Sequence, residues 1–427
     1  MNRIILRSPR ISTFTTLIGV TLLILAAALG AQQLAAPKYK FDPDWPKPLP
    51  NKWKMGGVTG LAVDKDDNVW VLDRPNDLRE IELNAEVKLA DCCTRPPSMI
   101  HIDKEGNVIG FFDPPQGHGM AVDSQGFVYI GNVVGGKGNV RKYDPKTGKM
   151  LAELPRAPET PPGGGGEGGG EPRERTPGKG GPGPGGTFPS MPPRSPDPAA
   201  VAAFRAKYPP TTPMIVGGIE EVRLDEPARE LYTADNYLGG RVMVFDLDTF
   251  AFKRGWGAHG HKLSEITTDD KDREYVPNGP EPKEFRNHLT LNISKDGFVY
   301  AADRGANRID VTTKEGKFVK EFVLAPSTGV PPQPEHPLPN TGKEGSAGGV
   351  GFSVDSQQRF LYISDLSNNT VWFLNRDDGK VVGRLGSMGQ NGGQFFGLHM
   401  IAVDSKGTIY TGEVFNGERV QRFLPVK

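Results

Sequence analysis

Three of the chain's seven histidines, His118, His288 and His399, head the same kind of phrase. Each stands before or within a short apolar run, followed by a polar turn and a second apolar run. Three imidazoles drawn to one point leave a fourth position open, the ligand set of a catalytic zinc rather than of a closed structural one. A single histidine at such a place more often only lines water, so the metal reading depends on all three converging. The other four, His101, His259, His261 and His336, fall outside this register. His259-Gly-His261 reads as a solvent-facing pair in a loop. Glu220 heads the matching run in another copy of the phrase, while Arg74 and Tyr237 follow the second run in two copies. A tyrosine beside a guanidinium and a metal loses its proton more easily than in water and can act as a base. Ordinary loop packing is the plain alternative, and Arg304 has the same context as Arg74.

The phrase is clearest from Phe285 to Ile309, FRNHLTLNISKDGFVYAADRGANRI. Its Lys-Asp-Gly turn supplies the backbone freedom a tight hairpin needs, and the alternation on either side suits half-buried strands. Copies align on an aromatic of the second strand: Trp70, Tyr129, Tyr232, Tyr300, Tyr362 and Tyr410. Third strands such as Arg241-Val-Met-Val-Phe245 follow, and most copies add a fourth stretch such as KFVKEF. Four strands per unit, six times over, predict an all-β chain folded as a six-bladed β-propeller over residues 58–425. The last unit has no clear fourth strand, so residues 32–57 are expected to complete it and close the ring. Aligning the start of each innermost strand puts Thr59, His118, Glu220, His288, Val350 and His399 on the axis of blades 1 to 6. Histidine then recurs in every second blade, and the three side chains converge.

Composition narrows the partners. Lys plus Arg and Asp plus Glu are 51 each, which removes bulk charge as a ground for nucleic-acid binding. Arg3, Arg7 and Arg10 precede an uncharged run from Ile11 to Pro37. Residues 1–31 therefore read as a secretory signal with small residues at Ala28 to Ala31, or as an N-terminal membrane anchor if uncleaved. The expected location is periplasmic or extracellular, with membrane contact through that segment alone. A monomer is the expected state. Residues 155–213 hold 13 Gly and 16 Pro, too little apolar surface to fold. They are expected to form a disordered insertion between blades 2 and 3, with a helix at Pro198 to Lys207. Cys92 and Cys93 are the only cysteines, which excludes a cysteine-rich zinc site and leaves free thiols or a vicinal disulfide open.

The phrases around His118, His288 and His399 resemble blades of peptidyl-α-hydroxyglycine α-amidating lyase, a six-bladed propeller with NHL-type repeats. The resemblance runs over residues 58–424 apart from the insertions. It implies that His118, His288 and His399 bind zinc. Arg74 of VLDRPND matches the family's catalytic arginine, and Tyr237 of ADNYLGGRV its catalytic tyrosine. The implied reaction cleaves the N–Cα bond of a small-molecule or peptide α-hydroxyamide to an amide and glyoxylate. The family's calcium-holding carboxylate is Met400 here, so the resemblance does not extend to calcium. Its disulfides have no counterpart, and no copper hydroxylating domain accompanies the propeller. Two other readings stand beside this one. One is a non-catalytic NHL propeller binding a peptide, glycan or protein. The other is a lactonase-type propeller with a carboxylate-held metal, which Glu220 keeps open.

Overall fold

A computed structural model describes residues 35–78, 91–132, 138–159, 197–236, 238–266, 282–285, 288–324, 345–415 and 417–426. Tyr237, the N-terminal signal or anchor segment and most of the Gly/Pro-rich insertion lie outside these. Among the described residues no helix is long and apolar enough to cross a membrane.

The first strand, β1, is Lys38–Asp42. Blade 1 follows with β2 (Gly57–Val63), β3 (Val69–Arg74), β4 (Met99–Ile102) and β5 (Val108–Phe112). Blade 2 is β6 (Met120–Val122), β7 (Val128–Asn132), β8 (Asn139–Asp144) and β9 (Lys149–Glu153). Blade 3 is β10 (Gly218–Asp225), β11 (Glu230–Asn236), β12 (Arg241–Asp246) and β13 (Phe252–Trp256). Blade 4 is β14 (Leu289–Ile293), β15 (Phe298–Asp303), β16 (Arg308–Thr313) and β17 (Phe318–Val323). Blade 5 is β18 (Val350–Phe352), β19 (Phe360–Asp365), β20 (Thr370–Asn375) and β21 (Val381–Leu385). Blade 6 has β22 (Leu398–Val403), β23 (Ile409–Glu413) and β24 (Arg419–Val426). Its fourth strand is β1, in the order β1-β24-β23-β22. The chain is therefore an all-β, six-bladed propeller of four-stranded antiparallel sheets.

Hairpin chemistry builds each blade. In blade 4 Gly297 adopts φ +85° and donates its N–H to Ser294 O at 2.9 Å, which turns β14 into β15 at no steric cost. Blades hold each other through side chains, not through backbone ladders. The second-strand tyrosines are all nearly or fully buried, and Tyr129, Tyr232, Tyr300 and Tyr410 sit in clusters that span adjacent blades. Tyr129 of blade 2 packs with Val222, Leu231 and Met243 of blade 3. Tyr410 of blade 6 packs with Val58, Leu61 and Val71 of blade 1, where Met400 is also buried. Each such ring contributes about 2 kcal/mol of apolar burial, so the inter-blade seams carry the core.

The insertion between blades 2 and 3 re-enters the described structure through α1 (Pro198–Lys207). Asp197 caps it, its Oδ1 accepting from Ala199 N at 3.0 Å, with Pro198 at the first helical position. Phe204 fixes the helix against Ala157 and Val216. Cys92 and Cys93 are joined to each other as a vicinal disulfide.

Candidate functional site

First strands begin, and second strands end, at the same mouth of the ring, so the described candidates Arg74, His118, Glu220, His288 and His399 belong to that mouth. The positions at the axis are made by β-bulges. Between Ile219 and Glu221 the pairing of β10 with β11 slips, and Glu220 is the extra residue. The same slip extrudes Thr59 between Val58 and Gly60, and His399 between Leu398 and Met400. A bulge re-aims one side chain out of the sheet's alternation, here toward the channel. In blade 2, His118 N donates to Gly131 O at 2.8 Å and Gly131 N to Gly119 O at 3.0 Å, the same two-against-one pairing. Gly119 is needed for it. At φ +69° a Cβ there would stand 2.5 Å from Glu220 O, so only glycine lets blade 2 approach blade 3 this closely.

Two blades depart from the common register. In blade 5 the two-against-one pairing falls on Gly348 and Gly349 opposite Ser364. Val350 pairs with Ile363 further down the strand and is not the axial residue the alignment placed there. At that bulge glycine brings no side chain to the axis. Blade 4 pairs in regular register from Leu289 opposite Asp303. His288 comes from just before the strand, held at φ +57° with its carbonyl accepting from Arg304 N at 3.2 Å. A non-glycine residue in that conformation costs on the order of 1 kcal/mol or more, which the surroundings must over-determine.

The three histidines nevertheless come together. The rings of His118 and His399 meet edge to face with centroids 4.8 Å apart. His118 Nδ1 lies 2.8 Å from the backbone carbonyl of Glu220, and His288 Nδ1 lies 2.8 Å from Glu220 Oε1. A carbonyl and a carboxylate can only accept, so both Nδ1 atoms carry a proton, and whenever either ring is neutral its lone pair lies on Nε2. Glu220 Oε2 accepts from Asn236 Nδ2 at 2.6 Å. Burial alone would raise the Glu220 carboxyl, but His288 beside it, with His118 and Arg304, outweighs burial and holds it far below the usual range. His399 is 6% exposed and its Nδ1 has no hydrogen-bond partner among the described residues. Burial, followed by the repulsion of His118, Arg304, Arg74 and His288, pushes His399 well below the ordinary histidine range, so it stands neutral.

This donor set suits zinc. Neutral imidazoles are its usual nitrogen ligands, and the proton on the other ring nitrogen normally goes to a carbonyl or carboxylate. His118 and His288 already have that arrangement. Among the described residues no three His, Cys, Asp or Glu side chains are yet gathered closely enough to enclose a cation. Arg74, the last residue of β3, and Arg304, which opens the turn after β15, are both buried at this mouth, and the charge of each reaches His399. Sequence context alone could not rank Arg304 beside Arg74; the fold places both at the site. Tyr237 follows β11 directly after Asn236, outside the described residues.

Three further observations bound the site. His259 is not the solvent-facing loop residue its sequence suggested. Its side chain is 6% exposed, its Nε2 lies 2.7 Å from Glu321 Oε2 and its ring packs on Phe318. The reason is the turn after β13, which wedges against blade 4 and carries the ring inward. His261, by contrast, is partly exposed, with Nδ1 3.3 Å from Glu265 Oε2. At the opposite mouth a cavity of about 570 Å³ is lined by the later parts of the first strands, including Leu61, Met120, Val350 and Ile401, and none of the three histidines borders it.

No family model matches the chain, and no curated protein does. Among solved structures it is similar to a structural-genomics protein of unknown function from Bacteroides thetaiotaomicron, at 14% identity and a TM-score of 0.49, over 92% of this chain and 73% of that one.

Proposed function

We propose that this propeller is an exported zinc-dependent lyase, similar to peptidyl-α-hydroxyglycine α-amidating lyase, that cleaves the N–Cα bond of an α-hydroxyglycine-like substrate. The observation that carries the proposal is the meeting of His118, His288 and His399 at one mouth, two of them with Nδ1 tied to Glu220. His118 and His288 would hold the ion through Nε2, with His399 completing the set. When bound, zinc supplies a Lewis acid for the hydroxyl and carbonyl oxygens of the substrate. Arg74 and Arg304 bring two buried positive charges to the same mouth, where they favour an anionic substrate and an oxygen that becomes negative. Tyr237 is the residue that the resemblance assigns to taking the hydroxyl proton. Loss of that proton lets the hydroxyl carbon become an aldehyde as its bond to nitrogen breaks. The nitrogen then takes a proton, giving a primary amide and glyoxylate. Any small-molecule or peptide α-hydroxyamide that enters the mouth fits this chemistry.

A second reading is a binding propeller whose channel histidines only line water. Metal content separates the two. Elemental mass spectrometry of protein purified without chelator is expected to find about one zinc per chain, lost in His118→Ala, His288→Ala and His399→Ala. Tyr237→Phe is expected to keep the metal and to lose glyoxylate release from hydroxyglycine compounds by about 10²-fold or more. A wild-type protein that takes up no zinc, or a Tyr237→Phe variant with unchanged turnover, overturns the lyase.

A further inference from the structure

We propose that Glu220 is the positioning residue of this mouth: one residue of blade 3 sets the tautomer and direction of two imidazoles on the blades either side of it. The proposal deepens the zinc reading and rests on it only in its metal arm. Glu220 uses two different groups. Its backbone carbonyl takes the Nδ1 proton of His118 from blade 2, at 2.8 Å. Its carboxylate takes the Nδ1 proton of His288, which precedes blade 4, also at 2.8 Å. Asn236 Nδ2, on the neighbouring strand of blade 3, donates to the second carboxylate oxygen at 2.6 Å and so fixes the plane of the group. The bulge that extrudes Glu220 from β10 is what turns its side chain toward the axis while its carbonyl faces blade 2.

Both contacts have one chemical effect: each imidazole presents Nε2 as its lone pair. The effect is strongest for His288, which no strand ladder holds and whose backbone is in the left-handed region. Removing the carboxylate therefore takes the Glu220 acceptor from the Nδ1 of His288 but not from that of His118, because the carbonyl that orients His118 belongs to the main chain and survives any substitution.

That asymmetry makes the test specific. In metal-free protein labelled with ¹⁵N-histidine, with His288 assigned by His288→Gln, long-range ¹H–¹⁵N correlations report each ring's tautomer. His288 and His118 are both expected as the Nδ1–H form in the wild type. In Glu220→Ala, His288 is expected to move toward the Nε2–H form while His118 stays. In Glu220→Gln, whose amide oxygen still accepts, His288 is expected to keep most of the Nδ1–H form. Zinc competition against a chelator is expected to show affinity lower by about 10- to 100-fold in Glu220→Ala, with Glu220→Gln between it and the wild type. An Nε2–H tautomer of His288 in the wild type overturns the proposal. So does a His288 tautomer unchanged in Glu220→Ala, the result a merely structural Glu220 would give along with a lower melting temperature. If the wild type takes up no zinc, the zinc reading fails and the tautomers alone decide the role of Glu220.

Discussion

Asp365 closes the second strand of blade 5, fully buried, with Trp372 Nε1 donating to its Oδ2 at 2.7 Å and Asn368 N to its Oδ1 at 2.8 Å. Burial outweighs these donors and raises its pKa from 3.8 to about 6. The folded chain thus keeps a proton that the unfolded chain has given up, so stability from this group is present at low pH and lost as pH rises from about 4 to about 6. The neutral Asp365→Asn variant lacks this slope. Urea unfolding at pH 4.5 and 7.5 is expected to show wild type gaining about 2 kcal/mol over the variant at the lower pH. A difference that is the same at both pH values sinks the argument. At this scale the histidines were legible, because three of them occupy comparable places in a repeat. The role of Glu220 was not, since its contact with His288 crosses 68 positions of sequence and two blades. The burial of His259 was hidden too, because nothing in a Gly-rich turn says which blade it will wedge against.

At the scale of the element, the ends of the second strands are knotted by charge. Asp235, Asp303 and Glu413 each lie directly across from Arg241, Arg308 and Arg419 on the third strand of the same blade. Arg241 and Arg308 are both fully enclosed, and Arg241 shows what such an arginine ties together. It is fully buried, with Nε on Asp235 Oδ2 at 2.9 Å and its other nitrogens on the carbonyls of Pro210, of Thr212 at 3.0 Å and of Met214 at 2.7 Å. It therefore ties blade 3 to the segment that returns from the Gly/Pro-rich insertion. Arg241→Ala leaves a buried carboxylate and three carbonyl acceptors without their donor. The expected loss is about 3–5 kcal/mol in chemical unfolding, and a loss under 1 kcal/mol would show that water replaces the guanidinium. The strands themselves were readable from alternation and turn residues. The bulges were not, because a two-against-one pairing leaves no mark in the periodicity. For that reason the alignment put Val350 on the axis when Gly348 holds the bulge position.

At the scale of the whole molecule, the ring depends on one short strand from far away in the sequence. Without β1, blade 6 would have only β22, β23 and β24, and the backbone edge of β24 would face water. β1 does more than cover that edge. Tyr39 donates its hydroxyl to Tyr362 Oη at 2.9 Å and packs on Phe373 of blade 5, while Phe41 packs on Phe423 of blade 6. Just beyond, Arg422 Nε reaches Asp42 Oδ2 at 2.9 Å, and Trp45, 2% exposed, lies over Tyr410 with its Nε1 on Asp103 O of blade 1. The N-terminal extension thus stitches blades 5, 6 and 1 in sequence. It was foreseeable because the last repeat runs out of residues one strand short. Losing two partly buried aromatic rings and the ladder removes about 3–6 kcal/mol, or roughly 5–10 °C of melting temperature in a domain of this size. A chain beginning at Pro43 is therefore expected to melt that much below one beginning at Ala35. Because the exposed edge of β24 invites pairing with another chain, the shorter protein is also expected to self-associate as its concentration rises, measured by analytical ultracentrifugation. Equal melting temperatures and two monodisperse chains would mean that the packing between blades closes the ring without the strand.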